Sequence, residues 1–153
     1  MGQANREESS QTSRSALRLY VETSALAAAL LEGDRSIIQA LARSDDYVTS
    51  ALTFVEARRA IIRAGVDRRL TAAEQQAALR ELEEFEERCT VINITPAVLE
   101  RAGRLFPVET VRTLDAIHLA TIEVIGDSPT PTSVLSRDVR VRENAKALGF
   151  VIA

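Results

Sequence analysis

Short apolar runs alternate with longer stretches of helical periodicity along this chain. The first run includes Leu19, Tyr20 and Val21, which favour β-structure and are too few for a helix of their own. Such runs are typical of strands that are buried on both faces of a sheet. The chain has four further runs of this kind. The predicted strands are 18–22, 47–49, 89–94, 133–135 and 150–152.

The segments between these runs have apolar residues at helical spacing and local signals for helix ends. Asp34 is a favoured N-cap residue, and Thr71 with Glu74 matches a capping box. Thr95 and Pro96 place an N-cap before a proline at the first helical position. The predicted helices are 24–31, one beginning at 34, 50–65, 71–88, 96–105, 110–125 and 139–148.

The strongest helical pattern in the second half of the chain lies within 110–125. Leu114, Ile117, Thr121 and Val124 fall on one face of this predicted helix. An apolar face of this kind is expected to pack against the rest of the domain.

The alternation of strands and helices predicts an α/β domain over residues 16–153. Its expected architecture is three-layer α/β/α, with a central parallel sheet of four to five strands. If the first strand is central, the crevice beside it is the point where the strand order reverses, which is the usual ligand site of such sheets. Residues 1–15 are polar and are predicted to be a disordered tail.

The composition excludes several classes of protein. Hydrophobic residues make up 46% and charged residues 27% of the 153 residues, as in ordinary globular proteins. The net charge of −3 means that a nucleic-acid partner would need a local basic patch. The single cysteine, the lack of a long apolar run and the polar amino terminus predict a cytoplasmic protein without a membrane partner.

Four acidic residues are predicted to lie at one edge of the sheet. Glu22 ends the first strand, and Glu56 lies in the first turn of the helix after the second. Asp115 lies in the first turn of its helix, and Asp138 follows the fourth strand. Helices that connect parallel strands begin at the carboxyl edge, so the four carboxylates should meet there. They would raise one another's pKa values unless a cation lay between them, and oxygen donors suit Mg²⁺ or Mn²⁺, which support phosphodiester hydrolysis.

Three of these acids also have a purely structural interpretation. Glu56 can complete a capping box with Thr53, and the helix dipole favours Asp115 in any orientation. Asp138 can be the N-cap of the helix that follows it. Glu22 has no obvious capping role, because it ends a buried strand.

Other polar residues adjoin the candidate acids. His118, one turn after Asp115, is interpreted as a packed histidine with local hydrogen bonds. Arg112 and Arg137 are candidates for holding the phosphates of a substrate, together with Ser24. The alternative, that these arginines are ordinary surface groups, remains open.

Four segments of the chain resemble the motifs of PIN domains, and most of all those of the VapC toxins of bacterial type II toxin–antitoxin pairs. The likeness runs in order from about residue 18 to the end. The segments are Tyr-Val-Glu-Thr-Ser-Ala-Leu (20–26), Thr-Ser-Ala-Leu-Thr-Phe-Val-Glu-Ala-Arg-Arg-Ala (49–60), Arg-Thr-Leu-Asp-Ala-Ile-His-Leu-Ala-Thr (112–121) and Ser-Arg-Asp (136–138).

This resemblance implies an endoribonuclease that depends on Mg²⁺ or Mn²⁺. It also implies that the protein forms a homodimer, as its relatives often do. A small cognate antitoxin would hold it inactive by laying a peptide into the acidic groove. The residues that would hold the metal and activate water are Glu22, Glu56, Asp115 and Asp138. Selective RNA cleavage usually takes place at a single-stranded stretch of a folded RNA.

One position departs from the family pattern, which normally has Asp where this chain has Glu22. The longer side chain shifts the carboxylate, and Mg²⁺ demands near-ideal geometry. An attenuated PIN-like module that only binds RNA or a partner protein is therefore a second hypothesis. A metal-dependent phosphatase or receiver-like domain is a third, although it needs a nucleophilic Asp at the end of the first strand.

Overall fold

The computed structural model describes residues 17–128 and 130–153, so the predicted tail 1–15 lies outside the described residues. The strands are β1 (Arg18–Val21), β2 (Tyr47–Ser50), β3 (Cys89–Ile92), β4 (Thr132–Leu135) and β5 (Val151–Ile152). The helices are α1 (Thr23–Glu32), α2 (Arg35–Leu41), α3 (Ala51–Val66), α4 (Ala72–Arg88), α5 (Pro96–Ala102), α6 (Thr113–Gly126) and α7 (Val139–Ala147). In these two ranges no helix has both the length and the apolar character that crossing a membrane requires.

The five strands form one sheet in the order β3-β2-β1-β4-β5, and every neighbouring pair is parallel. Strand β1 lies in the middle, with Leu19 opposite Tyr47 of β2 and Val21 opposite Leu135 of β4. The chain moves from β1 to one side of the sheet and later returns to the other. The strand order therefore reverses beside β1, so the condition under which the sequence predicted a ligand crevice there is met.

Two apolar cores cover the two faces of the sheet. Successive residues of β1 point to opposite faces: Leu19 and Val21 belong to the core formed with α1 to α4, where Leu82 is fully buried. Tyr20 belongs to the core formed with α6 and α7, where Leu119 is fully buried. The predicted three-layer α/β/α architecture is confirmed.

Helix ends that depend on local sequence lie where they were predicted. The Asp34 side chain caps α2, accepting hydrogen bonds from the backbone of the first turn. Thr71 and Glu74 form the reciprocal capping box of α4. Thr95 caps α5, with Pro96 at its first position. Most other predicted bounds differ from the structure by one or two residues.

The prediction for the helix at 110–125 was wrong in its start and in its buried face. Helix α6 begins at Thr113, after an irregular segment that also shortens the preceding helix α5. Leu114 and Val124 are each 45% exposed, whereas Thr121 is buried with the row of small and apolar residues around Leu119. Because α6 is buried around most of its circumference, apolar spacing alone does not identify the face that packs on the sheet.

Candidate active site

The four predicted acids lie at the carboxyl edge of the sheet, around the end of β1. Glu22 and Asp138 are the N-cap residues of α1 and α7, and Asp115 lies in the first turn of α6. Glu56 was predicted in the first turn of α3 but lies in the second, because that helix begins at Ala51. The positive ends of three helix dipoles therefore point towards this cluster and offset part of its negative charge.

Arg112 joins two of the carboxylates. Its Nε donates to Asp115 Oδ2 at 2.9 Å and its Nη2 donates to Asp138 Oδ2 at 3.0 Å. The hydrogen bond with Asp115 and the charges of both aspartates raise the pKa of the Arg112 guanidinium. The other Asp138 oxygen, Oδ1, accepts from the backbone N–H groups of Arg140 and Val141. Asp138 is thus the helix cap that the structural interpretation predicted. It also contacts the Arg112 guanidinium, which Asp115 contacts as well.

Glu22 has the capping role that the sequence did not indicate. Its Oε1 accepts from the Ser24 backbone N–H at 3.1 Å, and its Oε2 accepts from the Ser24 and Ser136 hydroxyls, the latter at 2.7 Å. The extra methylene of glutamate lets the carboxylate fold back over the start of α1. Both serine hydroxyls also accept from the Asp138 backbone N–H, at 3.1 and 3.0 Å. Ser24 and Ser136 therefore connect the Glu22 carboxylate to the backbone of Asp138.

Glu56 is held by two hydrogen bonds on one oxygen. Thr23 Oγ1 donates to Glu56 Oε1 at 2.7 Å, and His118 Nε2 lies 2.7 Å from the same oxygen. Burial alone would raise the pKa of Glu56, but the hydrogen bonds from His118 and Thr23 outweigh it and lower that pKa. The expected mutual raising of carboxyl pKa values is therefore wrong for Glu56. The proposed capping box with Thr53 is also absent, because Ser50 caps α3.

His118 is packed, as predicted, but its hydrogen-bond partners are distant in the sequence. It is 1% exposed and contacts Tyr20, Thr23 and Glu56, which lie on other elements. Its Nε2 is also 3.9 Å from Glu22 Oε1. Sequence reasoning missed this role, and the one available signal was the one-turn spacing from Asp115.

The two candidate arginines differ in how their side chains lie relative to the four acids. The Arg137 side chain pairs with Asp34, the cap of α2, while the Arg137 backbone N–H donates to Ser24 Oγ at 2.8 Å. Arg112 is 77% exposed in its side chain and borders a cavity of about 720 Å³ that opens beside Asp115 and Asp138.

The donor set fits a hard divalent cation. Within 17–128 and 130–153, no three acidic, histidine or cysteine side chains lie close enough together to form a ready-made metal cage. Mg²⁺, however, is usually bound by one or two carboxylates with several waters. Asp115 and Asp138 already converge on a single positive group, the guanidinium of Arg112. Two carboxylates together with waters are the kind of donor set that would suit one such ion.

The family model of the PIN domain matches residues 19–147 of this chain. The chain belongs to the PIN domain family, and the resemblance found in its four motifs is confirmed. Ribonuclease VapC35 of Mycobacterium tuberculosis is 35% identical over 136 residues, covering 89% of this chain and 86% of that protein. Ribonuclease VapC45 of the same species is 32% identical over 136 residues, covering 88% and 86% of the two chains.

Solved structures show the same fold. A toxin–antitoxin complex from Klebsiella pneumoniae superposes with a TM-score of 0.62 at 19% identity, covering 88% of this chain and 96% of that chain. The crystal structure of Mycobacterium tuberculosis VapC20, described as a sarcin-ricin loop cleaving toxin, superposes with a TM-score of 0.61 at 20% identity, covering 88% and 98%.

Proposed function

We propose that this PIN-domain protein is a divalent-metal-dependent endoribonuclease and the toxin of a type II toxin–antitoxin pair. Its relatives at 35% and 32% identity are ribonucleases by name. The observation that carries the proposal is that the Asp115 and Asp138 carboxylates both contact one positively charged group, the Arg112 guanidinium, at the carboxyl edge of the sheet. RNA phosphodiester hydrolysis is the chemistry that such an oxygen site supports.

The four acids have different parts in this proposal. Asp115 and Asp138 would hold the Mg²⁺ or Mn²⁺ ion, and the carboxylates of Glu22 and Glu56 would complete its surroundings or orient the attacking water. A bound divalent ion polarises a phosphoryl oxygen and makes a water more acidic. Ser24 and Ser136 keep the Glu22 carboxylate beside the Asp138 backbone through their hydroxyl groups.

Arg112 has two roles in this account. In the structure it neutralises Asp115 and Asp138, the two carboxylates that would hold the metal ion. Its exposed guanidinium also borders the cavity, where it would form charge-assisted hydrogen bonds with an RNA phosphate. Ser24 and Arg137 are the further substrate-binding candidates, although the Arg137 side chain must first leave Asp34.

RNA cleavage with a matched pair of variants tests this function. We expect the purified protein to cut a structured RNA in the presence of Mn²⁺, and we expect EDTA or Asp115→Asn to abolish the cut. Asp127→Asn is the control, because Asp127 is an exposed residue that caps the opposite end of α6. Cleavage that survives both EDTA and Asp115→Asn contradicts the proposal.

A small antitoxin is the protein partner in this proposal, and the cytoplasm is where it would meet the toxin. One structural neighbour is a toxin–antitoxin complex. An antitoxin peptide in the acidic groove would place a basic side chain against the carboxylates that Arg112 contacts. Co-purification with the product of a short neighbouring gene tests this partner, and sedimentation of the purified toxin tests the homodimer.

An attenuated module that binds RNA or a protein without cutting is the second candidate. The observation in its favour is that Glu22, at the position where the family has Asp, accepts three hydrogen bonds as a helix cap. A carboxylate so engaged has less freedom to serve an ion. The Glu22→Asp variant separates the two candidates.

A further inference from the structure

A buried chain of hydrogen bonds runs from the core to the Glu56 carboxylate. Tyr20 Oη lies 2.8 Å from His118 Nδ1, and His118 Nε2 lies 2.7 Å from Glu56 Oε1. Thr23 Oγ1 donates to the same Glu56 oxygen at 2.7 Å. This series of hydrogen bonds joins β1 and α1, which are neighbours in the sequence, to the distant helices α3 and α6.

The direction of these hydrogen bonds follows from the chemistry of their groups. An ionised carboxylate oxygen can only accept a hydrogen bond. His118 Nε2 therefore carries a proton and donates a hydrogen bond to Glu56 Oε1. Its other ring nitrogen, Nδ1, then pairs with the Tyr20 hydroxyl, and this contact fixes the orientation of the imidazole. The aromatic ring of Tyr20 stands edge-on to it, with centroids 6.3 Å apart and an interplanar angle of 76°.

Both donors use the same Glu56 oxygen. Within the part of the chain that is described, the second oxygen, Oε2, has no hydrogen-bond partner, and the Glu56 side chain is 24% exposed. Glutamate has several rotatable bonds, and an unheld side chain at this exposure would sample several rotamers. The hydrogen bonds on Oε1 thus select one rotamer and leave Oε2 free to accept a further contact.

The buried polar groups of His118 and Tyr20 belong to one connected series. The two residues are 1% and 0% exposed, and burying polar atoms is costly unless they are hydrogen-bonded. Their hydrogen bonds lead to the Glu56 carboxylate, and His118 Nε2 also lies 3.9 Å from Glu22 Oε1. The series therefore ties Glu56 to the end of β1, where Glu22 lies.

We propose that His118, backed by Tyr20, is a positioning residue that presents the Glu56 carboxylate to the bound divalent ion or its water. The inference rests on the proposed function and deepens it. His118 itself touches neither RNA nor metal and acts through Glu56.

Two substitutions at one position separate the two nitrogens of the ring. His118→Gln keeps an N–H donor near the position of Nε2, whereas His118→Asn keeps a polar group near Nδ1 and is too short for Glu56. Loss of an outer-shell hydrogen bond typically costs 10- to 100-fold in metal affinity or activity. We expect His118→Asn to weaken Mn²⁺ binding, measured by calorimetry, about tenfold, and His118→Gln to weaken it by no more than about threefold.

A tyrosine pair provides a test that does not depend on tolerance at His118. Tyr20→Phe removes only the hydroxyl behind the imidazole and should weaken Mn²⁺ binding about threefold. Tyr47→Phe is the matched control, because the Tyr47 hydroxyl donates to the Leu41 carbonyl outside this chain of hydrogen bonds. Tyr47→Phe should leave Mn²⁺ affinity unchanged.

A double-mutant cycle shows whether His118 acts through Glu56. In a Glu56→Ala background, His118→Asn should have no further effect on Mn²⁺ affinity, because the carboxylate it positions is gone. Equal losses in both backgrounds, or an affinity of His118→Asn equal to that of the wild type, overturn this inference alone. Absence of Mn²⁺ binding and of RNA cleavage by the wild type overturns the proposed function, and this inference with it.

Discussion

Replacing Arg112 by glutamine should tighten metal binding, although Arg112 lies in the proposed active site. The guanidinium occupies the space between Asp115 and Asp138 and hydrogen-bonds to one oxygen of each. A divalent ion that binds the same two carboxylates must first displace it. The Arg112→Gln variant removes this competing cation and keeps a side chain of similar polarity.

The size of the effect follows from the exposure of the ion pairs. The Arg112 side chain is 77% exposed, while those of Asp115 and Asp138 are 11% and 24% exposed. Exposed ion pairs are worth about 0.2–1 kcal/mol each, so the two together contribute about 1 kcal/mol. A gain of about 1 kcal/mol corresponds to roughly fivefold tighter binding.

Calorimetric titration with Mn²⁺ measures this change. Arg104→Gln is the control, because Arg104 is a similarly exposed arginine that pairs with Glu100 outside the site. It removes the same charge and should leave Mn²⁺ affinity unchanged. If Arg112 also holds a phosphate, RNA affinity should fall in Arg112→Gln while Mn²⁺ affinity rises. Weaker or unchanged Mn²⁺ binding in Arg112→Gln would refute the competition.

Three further results follow from the structure. The Glu22→Asp substitution shortens the side chain by one carbon–carbon bond, about 1.5 Å, and withdraws the carboxylate from the Ser136 hydroxyl that holds it. RNA cleavage by this variant should therefore not increase. A tenfold or greater gain in cleavage would instead favour the attenuated module. Leu82→Ala should lower the free energy of unfolding in urea by about 2–5 kcal/mol because Leu82 is fully buried, whereas Leu105→Ala, at an 84% exposed position, should change it by less than about 0.5 kcal/mol. The pKa of Glu56 in the folded protein lies below its ordinary value of 4.5. In EDTA, the ionised Glu56 should therefore stabilise the wild type relative to Glu56→Gln fully above pH 4.5, and this difference in the free energy of unfolding should disappear as the pH falls through the lowered pKa. A difference that grows in acid would contradict this prediction.

The sequence was sufficient for the architecture because its signals are local and mutually consistent. The capping residues Asp34, Thr71 and Thr95 act within one turn, so their helices begin where the pattern indicated. The apolar run at Leu19 indicated a buried strand, and the alternation of elements predicted a parallel sheet. The central position of that strand became known only from the structure. The buried face of helix α6 could not be predicted from apolar spacing, because this helix is buried on most sides.

The candidate site was predictable only in outline. Topology alone placed Glu22, Asp115 and Asp138 at one edge, because strand ends and helix starts of a parallel sheet coincide there. The contacts among these side chains depend on tertiary geometry, which has no sequence signature. Glutamate is a poor N-cap by preference, so the capping role of Glu22 was missed. The link from His118 to Glu56 crosses 62 residues of sequence and was missed for the same reason.

The most direct test of the account is a crystal of the protein soaked in Mn²⁺ and measured for anomalous scattering. The account predicts one Mn²⁺ peak between the Asp115 and Asp138 carboxylates, with the Arg112 guanidinium displaced from both. A peak elsewhere, or no peak at a Mn²⁺ concentration that supports RNA cleavage, would contradict it.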